Sequence, residues 1–399
     1  MSGMDLQRLR DLMAQRGIDA ALAYGGANFM LATGFQNYFD NPAASMALIP
    51  ASPSVPSLAI VSNWTAEAAK AAARVDAIES FPLWLEIADI TDIRAGRACR
   101  SEKPVRYDPE ANIERLAKAI LDRGWGRGTI AVEMALISAQ VFDWMRRKLP
   151  DVTFVNAADL FFEARRIKSP AEVEMLREAT RYAEGGLKRL AETPITGFDV
   201  ARLKLVYDEF CIERAKADPE GGFQGTRVTA SIGEDISPTV IGGAKVSADT
   251  LVFFDCGASI RGYGSDTGRT LTLTPPGREA RAIMDALRRG MDAAFALVKP
   301  GARMSDIFHA GQDAVRASGL DWYSRGHIGH AMGVGMGEMP PFISPKENGV
   351  LEAGMVMALE TPLYVRGLGG FQVEECFVVT ESGYELLTSL PRDFLPATP

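Results

Sequence analysis

The sequence predicts two domains, an α/β domain over residues 1–160 and an α+β domain with a mostly antiparallel sheet over residues 161–399. The length of 399 residues is the first reason, because one ordinary hydrophobic core does not grow to that size. The second reason is a regular alternation of helical and strand-like patterns in the first part. The third is the second part, where strand-like runs lie between long amphipathic helices.

The first domain is predicted as two rounds of helices and buried strands. Residues 4–17 have helical periodicity, and short apolar runs bounded by glycine follow them. The other predicted elements are the strands MALIP, SLAIVS and GTIAVE and the helices TAEAAKAAARV, ANIERLAKAILDRG and SAQVFDWMRRKLP. This alternation is typical of a compact α/β domain.

The second domain begins at a well-marked helix. Ser169 is a suitable N-cap, Pro170 follows at the first helical position, and Glu172 completes a capping box. Later helices are predicted in TGFDVARLKLVYDEFCIERAKA, REARAIMDALRRGMDAAFALV and MSDIFHAGQDAVRASG, and strands in LVFFDCG, RTLTLT, MVMALETPLYV and FQVEECFVV. Strands and helices mixed in this way indicate an α+β domain.

Composition and charge exclude several partners. The net charge is −8 and no lysine or arginine run is present, so the chain has no electrostatic footprint for nucleic acid. No apolar run approaches about 18 residues, so no membrane span is predicted. The first residues form a charged amphipathic pattern rather than a signal segment. The four cysteines are dispersed, which indicates free thiols and a cytoplasmic protein.

Acidic residues interrupt two pairs of apolar strands. In the first pair, a hairpin that turns near Ile260–Arg261 would place Asp255 of LVFFDCG directly across from Asp266 of GYGSDTGRT. In the second pair, a hairpin centred on Gly367 would place Glu360 of MALETP across from Glu374 of FQVEE.

Opposed carboxylates on one sheet face are costly, because their Cβ atoms lie about 4.5–5.5 Å apart and the charges repel. Two divalent cations would remove that cost, since four carboxylates balance two such ions. The alternative is that these acids lie at solvated strand ends. The pattern favours a carboxylate site for two divalent metal ions.

The histidines add a nitrogen ligand to this hypothesis. The chain has only three, and His327 and His330 lie three positions apart among five glycines in SRGHIGHAMGVGMGEMP. A neutral imidazole adds a ligand without adding charge, and glycines let the backbone approach a buried site closely. We assign His330 to the metal site. For His327, hydrogen bonding to backbone in a turn remains an alternative, and His309 is predicted to be structural on its helix.

These motifs resemble the creatinase, prolidase, aminopeptidase P and methionine aminopeptidase superfamily, which has the pita-bread fold. The resemblance covers nearly the whole chain, from a creatinase-type N-terminal domain through the helix that begins at RRIKSPAEVEMLREA. Its most specific part is five ligand positions that agree in residue type and order, namely Asp255, Asp266, His330, Glu360 and Glu374.

The resemblance implies a site with two metals. Asp255 and Asp266 would bind one ion, His330 and Glu360 the other, and Asp266 and Glu374 would bridge them. Manganese is the usual metal of the creatinase-like branch, with cobalt, zinc or iron also used, and an oxygen-rich ligand set suits Mn²⁺. Glu360 would carry a proton from water to the leaving nitrogen. Many members are homodimers, so a homodimer is expected.

The chain departs from the proline-specific members around this metal site. Gly337 replaces a histidine, no histidine occurs near Thr239–Val240, and Gln372 replaces an arginine. The first histidine of the family usually precedes the ligand by four residues, whereas His327 precedes it by three. The side chains that could take over the substrate-facing roles are His327, Tyr323, Arg325, Arg366 and Glu338.

The main functional hypothesis is a metal-dependent hydrolase that cleaves a C–N amide bond in a dipeptide, including Xaa-Pro dipeptides, or in a small amide metabolite. Glu360 and His327 are its candidate catalytic residues. One alternative is a lyase that uses the same metals without adding water. Another is a non-catalytic binding module of the same fold, which the complete ligand set argues against.

Overall fold

A computed structural model describes residues 5–38, 44–97, 103–236, 243–335 and 339–399. The chain divides into two compact units, Met1–Arg165 and Arg166–Pro399. Each unit has its own hydrophobic core and is described separately.

The first unit is a six-stranded mixed sheet with helices. Its strand order is β4-β3-β2-β1-β5-β6, in which β1, β2 and β3 pair antiparallel and the remaining pairs are parallel. The elements are α1 (Leu6–Gln15), β1 (Ala20–Tyr24), α2 (Gly26–Thr33), β2 (Met46–Pro50), β3 (Leu58–Ser62), α3 (Ala66–Ala72), β4 (Ala77–Phe81), α4 (Ile90–Arg94), α5 (Pro109–Asp122), β5 (Thr129–Val132), α6 (Ala139–Lys148), β6 (Thr153–Asn156) and α7 (Ala158–Arg165). The predicted α/β class is confirmed.

The second unit is built on a ten-stranded sheet. Its main strand order is β12-β11-β13-β16-β10-β8-β7, and every neighbouring pair along that path is antiparallel. The elements are α8 (Pro170–Glu192), α9 (Val200–Ala217), β7 (Phe223–Ile232), β8 (Leu251–Ile260), β9 (Tyr263–Gly264), β10 (Thr267–Thr272), α10 (Arg278–Phe295), α11 (Met304–Ala317), β11 (Gly329–Ala331), β12 (Met339–Phe342), β13 (Val356–Glu360), β14 (Leu363–Val365), β15 (Gly369–Phe371), β16 (Val373–Val379), β17 (Tyr384–Leu386) and β18 (Leu395–Pro396). The predicted α+β class with a mostly antiparallel sheet is confirmed.

The helix that opens the second unit begins where its capping residues predict. The Ser169 side chain accepts a hydrogen bond from the Glu172 backbone N–H, and the Glu172 carboxylate accepts one from the Ser169 N–H, which satisfies two free donors of the first turn. The hydroxyl of Tyr263 also donates to Glu172 Oε1 at 2.8 Å. This bond fixes the start of α8 against the hairpin that carries the first pair of acids.

Two pairs of helices cover the sheet. The helices α10 and α11 approach closely at Gly290, where a Cβ atom would clash with Val315 Cγ2. Their apolar faces form one core cluster with β13 and β16, and the pair α8 and α9 forms a second with β8. The strands that carry the acids are therefore buried by helices on one side, so their polar side chains are held in fixed positions.

The cysteines and the helices agree with two further predictions from the sequence. Cys211, Cys256 and Cys376 are buried free thiols, as predicted, and Cys99 lies outside the described residues. Within the part of the chain that the structure describes, every helix is too short or too polar to span a bilayer.

Candidate metal centre

The second acidic hairpin has the register that the sequence predicts. Glu360 on β13 pairs directly with Glu374 on β16. The same register continues through β14 and β15 to a turn at Gly367, whose φ of 82° suits a residue without a Cβ. Both carboxylates are buried.

The predicted register of the first acidic hairpin is wrong. Asp255 on β8 pairs with Gly268, so Asp266 is displaced by two residues from the expected partner position. The turn lies at Arg261–Gly262, whose φ values are 50° and 88°. A tight hairpin turn of this kind requires positive φ at both central residues, which β-branched Ile260 does not tolerate. The turn therefore moves one residue along the chain.

His330 lies beside two of the acids. It is the middle residue of β11, and its Nε2 is 3.9 Å from both Asp266 Oδ2 and Glu374 Oε1. One ligand atom from each of these three buried residues lies within 4.8 Å of the other two. Ligands about 2.0–2.2 Å from a shared metal lie at such separations, so the three side chains fit a divalent ion.

The pKa values of the acids give a second reason to expect a cation. Burial raises the pKa of Asp266 well above its usual value, and the charge of Asp255 raises it further. Burial and the charges of Asp266, Asp255 and Glu360 raise the pKa of Glu374 in the same way. A divalent ion reverses this cost, because it stabilises the ionised carboxylates. The oxygen-rich donor set with one imidazole suits Mn²⁺ among other divalent metals.

Two arginines make ion pairs with the acids. Arg325 Nη2 lies 2.7 Å from Glu360 Oε1. Arg227 Nη2 lies 2.9 Å from Asp255 Oδ1 and makes a shorter ion pair with Asp266 Oδ1. Sequence reasoning named Arg325 as a candidate but missed Arg227. The alternation in TRVTASI, within β7, was the available signal for a strand that would carry it.

The other predicted site residues lie at different distances from this cluster. The Nδ1 of His327 is 3.9 Å from Glu360 Oε1, and its ring centroid is 5.3 Å from that of Phe342. Tyr323 is buried and donates to the Pro362 carbonyl at 3.3 Å. The amide of Gln372 donates to Glu374 Oε2 at 3.1 Å. Arg366 and His309 are exposed, while Thr239, Val240, Gly337 and Glu338 lie outside the described residues.

A buried arginine supports the backbone behind the acids. Arg269 is fully buried, and its Nη1 donates to the carbonyl of Glu374 at 2.7 Å. Its Nη2 pairs with Glu375 Oε1 at 2.8 Å, and its Nε donates to the Pro391 carbonyl at 2.8 Å. All three nitrogens are used, so β10, β16 and the C-terminal segment are fixed to one another beside the metal ligands.

Comparisons with known proteins identify the family of each unit. Residues 6–167 match the creatinase/prolidase N-terminal domain, and residues 174–381 match the metallopeptidase family M24. The ectoine hydrolase of Halomonas elongata is 30% identical over 301 residues, which cover 70% of this chain and 73% of that protein. The Xaa-Pro dipeptidase of Lactobacillus helveticus is 27% identical over 296 residues, which cover 72% and 77%.

A solved structure has the same fold. The Xaa-Pro dipeptidase from Bacillus anthracis superposes with a TM-score of 0.79 at 19% identity and covers 98% of each chain. The creatinase-type first domain, the pita-bread second domain and the acid-rich centre define a metal-dependent hydrolase, of the peptidase or amidohydrolase kind. The chain belongs to the metallopeptidase family M24.

Proposed function

We propose that this chain hydrolyses a C–N amide bond in a dipeptide or a small amide metabolite, with two divalent metal ions, Mn²⁺ for preference, held by its acidic cluster. The observation that carries the proposal is the convergence of Asp266, His330 and Glu374, with Asp255 and Glu360 paired to arginines around them. Divalent ions in such a cluster lower the pKa of a water and polarise the substrate carbonyl.

Five side chains are the proposed ligands of those ions. Asp255 and Asp266 would hold one ion, His330 and Glu360 the other, and Asp266 and Glu374 would serve both. The 3.9 Å distances from His330 Nε2 to Asp266 and Glu374 support the shared part of this arrangement.

Glu360 is the proposed proton carrier. Its carboxylate would accept a proton from the attacking water as the new C–O bond forms, and would deliver it to the nitrogen as the C–N bond breaks. Two cationic or hydrogen-bonding groups face it, since Arg325 Nη2 lies 2.7 Å and His327 Nδ1 lies 3.9 Å from Oε1. Arg325 would orient the carboxylate, and His327 would donate a hydrogen bond to the substrate carbonyl as negative charge develops.

The relatives suggest two substrate classes. The names of the similar proteins include an Xaa-Pro dipeptidase and an ectoine hydrolase. In this chain Gln372 contacts Glu374 where the proline-specific pattern has an arginine. A neutral amide at this position leaves the substrate side without one of the expected cations, so we include small amides beside Xaa-Pro dipeptides.

The test is a substrate screen of the Mn²⁺-loaded protein against Xaa-Pro dipeptides, longer Xaa-Pro peptides, ectoine and simple amides. We expect hydrolysis of at least one class, with one ¹⁸O atom from labelled water in the acid product of a peptide or amide, or in the newly formed amide group if the cyclic amidine ectoine is opened. Turnover without label would indicate a lyase instead. A protein that binds no metal and turns over none of these compounds would contradict the proposal.

We also propose an assembly and a location for this chain. Buried free thiols at Cys211, Cys256 and Cys376 are compatible with a reducing, cytoplasmic setting. A homodimer is proposed from the family resemblance, and sedimentation equilibrium would test it.

A further inference from the structure

We infer that Arg227 takes the place of a cation beside Asp255. One divalent ion would then bind first at Asp266, His330 and Glu374. A second ion would bind only by displacing Arg227. This inference rests on the proposed function, because it concerns the order in which the proposed metals bind. It predicts two unequal sites and names the side chain that makes them unequal.

The two oxygens of Asp266 face different partners, an imidazole and a guanidinium. Its Oδ2 lies 3.9 Å from His330 Nε2, on the side of the three converging ligands. Its Oδ1 makes an ion pair with Arg227 Nη2, which also lies 2.9 Å from Asp255 Oδ1. Arg227 therefore contacts both acids that a second metal ion would need, while the His330 side of Asp266 stays available.

Charge balance points the same way. Four carboxylates surround the site, and Arg227 and Arg325 neutralise two of their charges. The remainder is the charge of one divalent ion. A second ion would leave the buried cluster with excess positive charge, which is costly in a poorly solvated site unless a cation leaves or an anion enters. Displacement of Arg227 removes one of the two excess charges, and an anion such as hydroxide would offset the other.

Arg227 is held in a way that permits displacement. Both of its ion pairs use the single nitrogen Nη2, and its Nε is buried without a hydrogen-bond partner among the described residues. Its side chain keeps 25% of its exposure, so part of this side chain is in contact with solvent. Arg269 is the contrasting case, because all three of its nitrogens are bonded and it is fully buried.

The experiment is a Mn²⁺ titration of the metal-depleted full-length protein by equilibrium dialysis with elemental analysis. For the unaltered protein we expect about one tight ion per chain and a second with at least about tenfold weaker affinity. Arg227→Met removes the charge but keeps the length of the side chain, so it should tighten the second ion about tenfold or more and leave the first nearly unchanged. Arg227→Lys, which retains a positive charge, should keep the inequality. Arg278→Met, at an exposed position that begins α10, is the matched control and should change neither affinity.

Electron paramagnetic resonance gives a readout that does not depend on the variants. At one equivalent of Mn²⁺ the unaltered protein should give the spectrum of isolated ions, and a spin-coupled pair should appear only in excess. A coupled pair at one equivalent would overturn the inference, as would an unchanged second affinity in a folded Arg227→Met protein. If Arg227→Met does not fold, the spectra of the unaltered protein decide. A chain that binds no Mn²⁺ would contradict the proposed function itself.

Discussion

The two acidic hairpins of the second unit use the same chemistry with different geometry. In the β13–β16 hairpin, Glu360 and Glu374 are directly paired. In the β8–β10 hairpin, Asp255 pairs with Gly268 and Asp266 is offset by two residues. The offset pair shares one guanidinium, that of Arg227, which the adjacent strand β7 supplies.

The direct pair is compensated unevenly. Glu360 is paired with Arg325, whereas Glu374 has a neutral amide from Gln372 as its neighbour and, within the described ranges, no ion pair with lysine or arginine. The negative charge of the cluster is therefore least compensated at the corner formed by Glu374, His330 and Asp266 Oδ2. The positions of the arginines thus indicate where a bound metal ion would stabilise the carboxylates most.

The largest expected effect is the loss of turnover when Glu360 is substituted. This substitution tests whether proton transfer by Glu360 can be lost while a metal ion still binds. Glu360→Gln keeps the shape but removes the basic carboxylate, so turnover should fall by about 10²–10⁴-fold. Elemental analysis should still find about one ion per chain, because Asp266, His330 and Glu374 keep three of its proposed ligands. Glu385→Gln, which alters an exposed ion pair with Arg177, should retain full activity. Unchanged turnover in Glu360→Gln would remove this residue from the mechanism.

The next effect concerns the support behind both hairpins. Arg269→Met leaves Glu375 buried with a much weaker set of partners, so the free energy of unfolding should fall by about 3–5 kcal/mol. Arg281→Met breaks a partly exposed ion pair with Asp393 and should cost about 0–1 kcal/mol. Urea denaturation of both metal-depleted variants measures the difference. Equal losses would show that the buried pair has no special role in fixing β10 against β16.

A smaller effect is expected at the corner that lacks an arginine. Gln372→Met keeps the side-chain length but removes the hydrogen bond of 3.1 Å to Glu374 Oε2. Loss of such an orienting partner typically weakens metal binding by about 10–100-fold, and we expect the lower end because the amide is neutral. Dialysis against Mn²⁺ measures the first ion. Gln224→Met, in the same sheet on β7, is the control, and an equal loss there would mean that the effect is not specific to the metal corner.

Much of this site was predictable because its parts are local in sequence. The five proposed ligands follow from acids in apolar strands and from a rare pair of histidines, and the Glu360–Glu374 register follows from Gly367 at the midpoint of the turn. The position of the first turn was not predictable by symmetry, because backbone conformation at Arg261–Gly262 decided it. Arg227 was missed because it reaches the acids from another strand, which depends on sheet order rather than on a motif.

The smallest expected effect is a pH dependence that compares the metal-free cluster with the loaded one. In the metal-free protein, burial and neighbouring charges raise the pKa values of Asp266 and Glu374 above those of the unfolded chain, which are about 4. The folded state then binds more protons than the unfolded state above that pH, so its stability should fall gradually as pH rises through this window. Mn²⁺ should reverse the trend, because the bound carboxylates stay ionised and a bound imidazole is unprotonated, whereas a histidine of the unfolded chain, with a pKa of about 6.5, takes up protons in this window. Thermal unfolding of chelator-treated and Mn²⁺-loaded protein between pH 5 and about 8 measures both slopes, and slopes of the same sign would contradict the crowding of acids at this corner.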